Sequence, residues 1–105
     1  MNAYEELAKA IVIQATADYK NALLYTMSDR FEKRIKTIEM SNDSEEKKDY
    51  KIKREIDYKH RQERNLNDCE RFFKGKWIKS LTDISGEKIM EKVREEVEKA
   101  LTAHS

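Results

Sequence analysis

The chain contains no proline and only two glycines, Gly75 and Gly86, in 105 residues. These are the residues that stop helices and build tight turns. Their scarcity excludes a turn-rich β architecture and predicts long helices joined by few corners. A glycine-rich phosphate loop is excluded by the same count. Cys69 is the single cysteine, so an internal disulfide is impossible and a reducing compartment fits. The longest apolar runs, 10–13 and 22–25, fall far short of the roughly 20 residues that span a bilayer. The opening residues, Asn2-Ala3-Tyr4-Glu5-Glu6, lack the basic start of a signal peptide. The expectation is a cytoplasmic protein that uses no membrane, in which the sequon at Asn42 carries no meaning.

Hydrophobic residues make up 38% of the chain, below the roughly 45–50% of ordinary globular domains. Such a supply lines seams between helices rather than filling a thick core. Charged residues make up 41%, but 22 basic and 21 acidic side chains nearly cancel to +1. Disorder requires low hydropathy together with a large net charge. Balanced charges pair along helix faces, so a single folded domain over residues 1–105 is expected.

Tyr4, Leu7, Ala8, Ile11, Ala15, Tyr19, Ala22 and Leu23 recur mostly at steps of three and four, the signature of one helix face. The phase continues through Met27, Phe31, Ile35 and Ile38, which predicts one continuous or bent helix over about 3–40. Asp29 and Glu32 have the spacing of a capping box and mark the place for a kink or restart. Ser41-Asn42-Asp43-Ser44 is a turn, with Ser44 placed to cap a second helix over about 45–74. In that helix no aliphatic residue lies between Tyr58 and Leu66. Glu55–Lys59 and Asp57–Arg61 have the spacing of favourable i,i+4 pairs there. A short helix at 76–81 follows Gly75. A last helix at 85–103 starts at Ser85, with Ile84 and Ile89 at the positions of a hydrophobic staple.

The resulting expectation is an all-α fold. A long antiparallel helical hairpin carries the short helix and the C-terminal helix on its base, and its tip, about residues 30–60, projects. Phe73, Trp77 and Leu81, spaced by four, are expected in the core. Ile13, Leu24 and Tyr25 lie off the main stripe of the first helix. A surface left uncovered there predicts a homodimer.

Charge is unevenly distributed. Residues 30–79 carry 16 basic and 11 acidic side chains, whereas both flanks are net acidic. Asymmetry of this kind steers an anionic partner. The candidate partner-binding residues are Arg30, Arg34, Lys53, Arg54, Lys59, Arg61, Arg64, Arg71, Lys74, Lys76 and Lys79. The last four belong to an aromatic-basic stretch, 71–79, in which lysines snorkel outwards from core aromatics. His60 has no second histidine or cysteine near it, and His104 sits at the chain end. Cys69 shares the apolar stripe with Leu66, Phe72 and Phe73 and reads as a small core residue. With no nucleophile–base set, metal-ligand cluster or paired acidic motif, the chain is expected to be neither an enzyme nor a metalloprotein and to hold no cofactor.

Asp68-Cys69-Glu70-Arg71-Phe72-Phe73, then Trp77, Leu81-Thr82-Asp83-Ile84 and Gly86-Glu87, resemble a stretch found in small uncharacterised helical proteins of Firmicutes phages, prophages and integrative elements. The opening Ala10-Ile11-Val12-Ile13-Gln14-Ala15, followed by Asp18-Tyr19, is similar as well. The resemblance covers residues 7–24 and 66–95, and its residues are mostly core types. It implies a mobile-element context without an established activity. That context suggests an inhibitor of a host defence nucleoprotein, of the anti-CRISPR type, with a CRISPR effector as partner. A small DNA- or RNA-binding accessory protein and a structural homo-oligomer of a phage are the alternatives.

Overall fold

The structure is a computed structural model, and it describes residues 2–103; His104 lies outside them. The described residues form five helices and no strand. α1 is Ala3–Met27, α2 Arg30–Glu39, α3 Glu45–Lys74, α4 Trp77–Leu81 and α5 Gly86–Ala103. The fold is all-α, as expected. α1 runs against α3, and α4 and α5 pack on both of them. α2 lies on the first half of α3, so the chain is elongated, 56 × 28 × 22 Å.

The predicted single helix over 3–40 is two helices. Ser28 adopts an extended conformation, φ −93° and ψ 174°. Its Oγ donates to the Tyr25 carbonyl at 3.1 Å and accepts from the Arg30 amide at 3.3 Å. A short hydroxyl side chain competes in this way for groups at a helix end. The restart falls at Asp29, yet the capping box does not form, because Asp29 makes no side-chain cap bond. The other corners follow the expected chemistry. Ser44 Oγ accepts from the Lys47 amide at 3.3 Å, and Ser85 Oγ from the Lys88 amide at 3.4 Å.

The core gathers Tyr19 and Leu23 from α1, Phe73 from α3, Ile78 from α4, and Met90, Val93 and Val97 from α5. Tyr19 and Phe73 pack with ring centroids 5.8 Å apart. Trp77 is not part of it. Its side chain is 75% exposed, and its neighbour Ile78 fills the core position instead. Gly75 ends α3 in an extended conformation, ψ −177°. The helical phase therefore does not carry across from Phe73, and the spacing by four loses its meaning. Of the two staple positions, Ile84 is exposed and Ile89 is half-buried against the core. Tyr4, Leu7 and Ile11, on the main stripe of α1, are exposed, whereas Tyr25, off that stripe, is buried. Both outcomes reflect where the partners of α1 lie. Its first turns run out along α4, while Tyr25 meets Tyr58 of α3 edge to face at 5.0 Å.

Candidate interaction surface

The arm formed by α2 and the first half of α3 is held by few apolar groups. Ile38 is the one fully buried residue on α2, and Phe31 and Ile35 are half-buried. Polar ties complete the joint. Lys48 Nζ donates to the Glu39 carbonyl at 3.0 Å, and Lys51 pairs with Asp43 at the turn. That pairing holds the Asp43 carboxyl below its usual range. At the root of the arm, Tyr25 Oη donates to Glu55 at 3.2 Å, and Arg34 Nε approaches the same carboxylate at 3.8 Å. Burial, with the Glu55 charge second, pushes the Tyr25 hydroxyl up to about 12.

The structure divides the predicted binding residues among separate places. Lys53, Arg64 and Arg71 are exposed and share one azimuth of α3, on the side turned away from α1 and α2. They span about 27 Å along the helix at 1.5 Å per residue. Arg54 and Arg61 are exposed on the adjoining side, over the rings of Tyr50 and Tyr58, each 5.7 Å from the centroid. Asp57 and Asp68 interleave with these cations. Arg30 and Arg34 lie on α2. Lys74 lines a shallow concavity with Glu87, Glu91, Glu95 and Glu98 of α5, on an acidic flank. Lys76 and Lys79 stand at the base, on or beside α4. Among the described residues Arg30, Lys53, Arg64, Arg71, Lys74, Lys76 and Lys79 form no ion pair.

Lys59 departs from the expectation. It is half-buried, with its ammonium 4.4 Å from the centre of the Phe31 ring, and clamps α2 to α3. The predicted pairs Glu55–Lys59 and Asp57–Arg61 are absent among the described residues for a related reason. Glu55 is taken by Tyr25 and Arg34, Lys59 by Phe31, and Arg61 leans on Tyr58.

One grouping was missed in the sequence reading. Arg30, Lys33, Arg34 and Thr37 fall at i, i+3, i+4 and i+7 on α2. They line an open cleft of about 440 Å³ with Tyr25, Glu55 and Tyr58. The spacing alone identifies Lys33 as part of this stripe. Tyr25 stands only just before the stripe, across the Ser28 break, whereas Tyr58 comes from α3, remote in sequence.

No family model matches the chain, and no curated protein or solved structure matches it either. The surface is therefore judged on its chemistry. Among the described residues no group of three or more His, Cys, Asp and Glu is placed to hold a metal ion. Burial, with Asp18 foremost among nearby carboxylates, pushes the Cys69 thiol up, away from the thiolate that nucleophilic chemistry needs. No described helix is long and apolar enough to cross a membrane. The arm presents exposed cations and exposed tyrosine rings on one long helix. The cations attract anions, and the rings offer stacking surfaces.

Proposed function

We propose that the chain is a non-enzymatic interaction protein that lays the cationic outer face of its hairpin arm in an acidic protein groove of a nucleoprotein. The observation that carries this reading is the tract 60–65, just beyond the Lys59 clamp. It has no aliphatic residue, yet it continues as regular helix, with Arg61 and Arg64 exposed. A stretch that adds little to a core and still projects a cationic face is suited to a partner rather than to the fold. Taken with the mobile-element resemblance, the class of partner is a host defence nucleoprotein such as a CRISPR effector, and the action is inhibition.

The test adds the chain to a purified RNA-guided nuclease with its guide and target duplex. Blocked cleavage at near-stoichiometric ratio supports the reading. Undiminished cleavage by each effector type tried, at large excess of the chain, overturns it.

A second reading, direct binding of DNA or RNA, is favoured by the α2 cleft. There Arg30, Lys33 and Arg34 share the lining with Tyr58, a set of cations and an aromatic ring that suits a phosphate and a base. Salt separates the two. Contacts to bare B-DNA make the logarithm of affinity fall with the logarithm of salt concentration at a slope of about −0.9 per phosphate neutralised.

A further inference from the structure

The end of the molecule opposite the arm carries a different surface. Tyr4, Ile13 and Ile84 line a groove of about 510 Å³ between the start of α1 and the α4–α5 connection, floored by the half-buried Val12 and Leu81. Tyr4 Oη donates to the Ser80 carbonyl at 3.4 Å and fixes one lip. Trp77 stands one turn before Ser80 and Leu81 on α4, on the helix face of those two lining residues. Ile13 is 68% exposed and Trp77 75%. Leu7 and Ile11 extend the apolar area along α1. Patches of this kind on soluble chains mark interfaces.

We propose that this base is a homodimer interface, in which two copies of the chain meet about a two-fold axis and the Trp77 indole of each enters the groove of the other. Three observations select a second copy as the occupant. A two-fold contact must be self-complementary, and here a large knob and an open hollow lie side by side on one chain. The charges around them are complementary in net sign: the α1 lip carries Glu5 and Glu6 with Lys9, and the opposite lip Lys76 and Lys79 with Asp83, all exposed. Exchanging the two lips sets acid against base on both sides. The exposed area agrees. A compact monomer of 12.5 kDa is expected to expose about 6,200 Å², whereas this chain exposes 8130 Å². The elongated shape, 56 × 28 × 22 Å, contributes to the excess, and the exposed apolar side chains of the base lie within it. That excess is larger than the roughly 800 Å² that each partner loses in an interface of standard size.

The experiment is sedimentation velocity on the full chain from low micromolar to sub-millimolar concentration, with the emission of Trp77, the single tryptophan, recorded over the same range. The mass is expected to double. The emission is expected to shift to the blue in step, as the indole leaves water. Trp77→Glu and Ile13→Glu should each retain the helical circular dichroism and raise the dissociation constant at least about tenfold, as central interface anchors do. Lys76→Glu with Lys79→Glu should weaken self-association. Mixing that variant with Glu5→Lys/Glu6→Lys should restore a mixed dimer. A monomer with water-exposed emission throughout overturns the proposal. So does a dimer that folded Trp77→Glu leaves intact, or an assembly larger than two copies. If Ile13→Glu loses its helicity, Trp77→Glu decides alone, since an exposed side chain adds little to the monomer.

Discussion

A Cβ atom on Gly86 would stand 1.8 Å from the carbonyl oxygen of Phe73 and 2.7 Å from its carbonyl carbon. The first turn of α5 therefore rests directly on the backbone at the end of α3. Its φ is not positive, so contact, not conformation, demands glycine here.

Gly86→Ala should accordingly be among the most damaging single substitutions. The obstacle is main chain and has no rotamer to change, so the cost should reach or pass the ~3 kcal/mol upper end of ordinary overpacking. Thermal unfolding should show a fall in Tm of about 10 °C or more. Gly75→Ala is the control. A Cβ there meets the Arg71 carbonyl oxygen at 3.1 Å in an ordinary extended conformation, and the change should be mild by comparison.

The two residues Trp77 and Ile78 should exchange the roles that helical spacing suggests. Ile78 is 2% exposed within the main core, so Ile78→Ala should cost about 2–5 kcal/mol. Trp77→Ala should change stability by less than about 1 kcal/mol, in keeping with a surface position. Urea unfolding of both variants measures this. A Trp77→Ala loss comparable to that of Ile78→Ala would return the indole to the core.

The contrast shows what the sequence makes legible. The all-α class, the turn at 41–44 and the caps at Ser44 and Ser85 follow from composition and local hydrogen bonding, and the structure has each of them. The break at Ser28 reads in the sequence only as the place for a kink or restart, because the apolar phase runs through it and the Ser28 hydroxyl bonds across it. Periodicity puts Trp77 in the core only if the helical phase crosses Gly75, where the chain turns. Of the candidate binding residues, exposure was readable from the absence of aliphatic neighbours in 59–65. Their division among the back of α3, the α2 cleft, the acidic flank and the base was not, since it depends on which helices pack together. Lys59 shows the limit most clearly: a lysine in a polar tract turns inward because Phe31, from another helix, lies beneath it.

The Tyr25–Glu55 contact should give the protein a stability limb at high pH. The hydroxyl titrates near 10 in an unfolded chain and at about 12 in the fold. The folded state then retains a proton that the unfolded state has lost. The contribution is complete below pH 10 and is lost as pH rises from about 10 to 12. At about 1.4 kcal/mol per pKa unit the loss is no more than about 3 kcal/mol. Chemical denaturation at stepped pH should show this decline, and Tyr25→Phe should flatten it. An equal slope in both proteins would assign the limb to other groups.

The arm provides the sharpest separation of stability from binding. Arg54, Arg61 and Arg64 are exposed and form no ion pair among the described residues. Their cation–π contacts, made by Arg54 and Arg61, are of the exposed kind, worth about 0.5–1 kcal/mol each. Replacing all three by glutamate should leave Tm within a few degrees. The same change reverses the charge along the outer face of α3 and should abolish binding to the anionic partner, or inhibition by the chain. Binding is read by titration against the nucleoprotein, and folding by circular dichroism on the same sample. Full activity in the triple variant would move the binding surface to the α2 cleft or to the base, where Arg30, Arg34, Lys76 and Lys79 remain. Unfolding would mean that the arginines support the arm itself through Tyr50 and Tyr58. Only a folded, inactive variant fits an arm whose cations are held out for a partner.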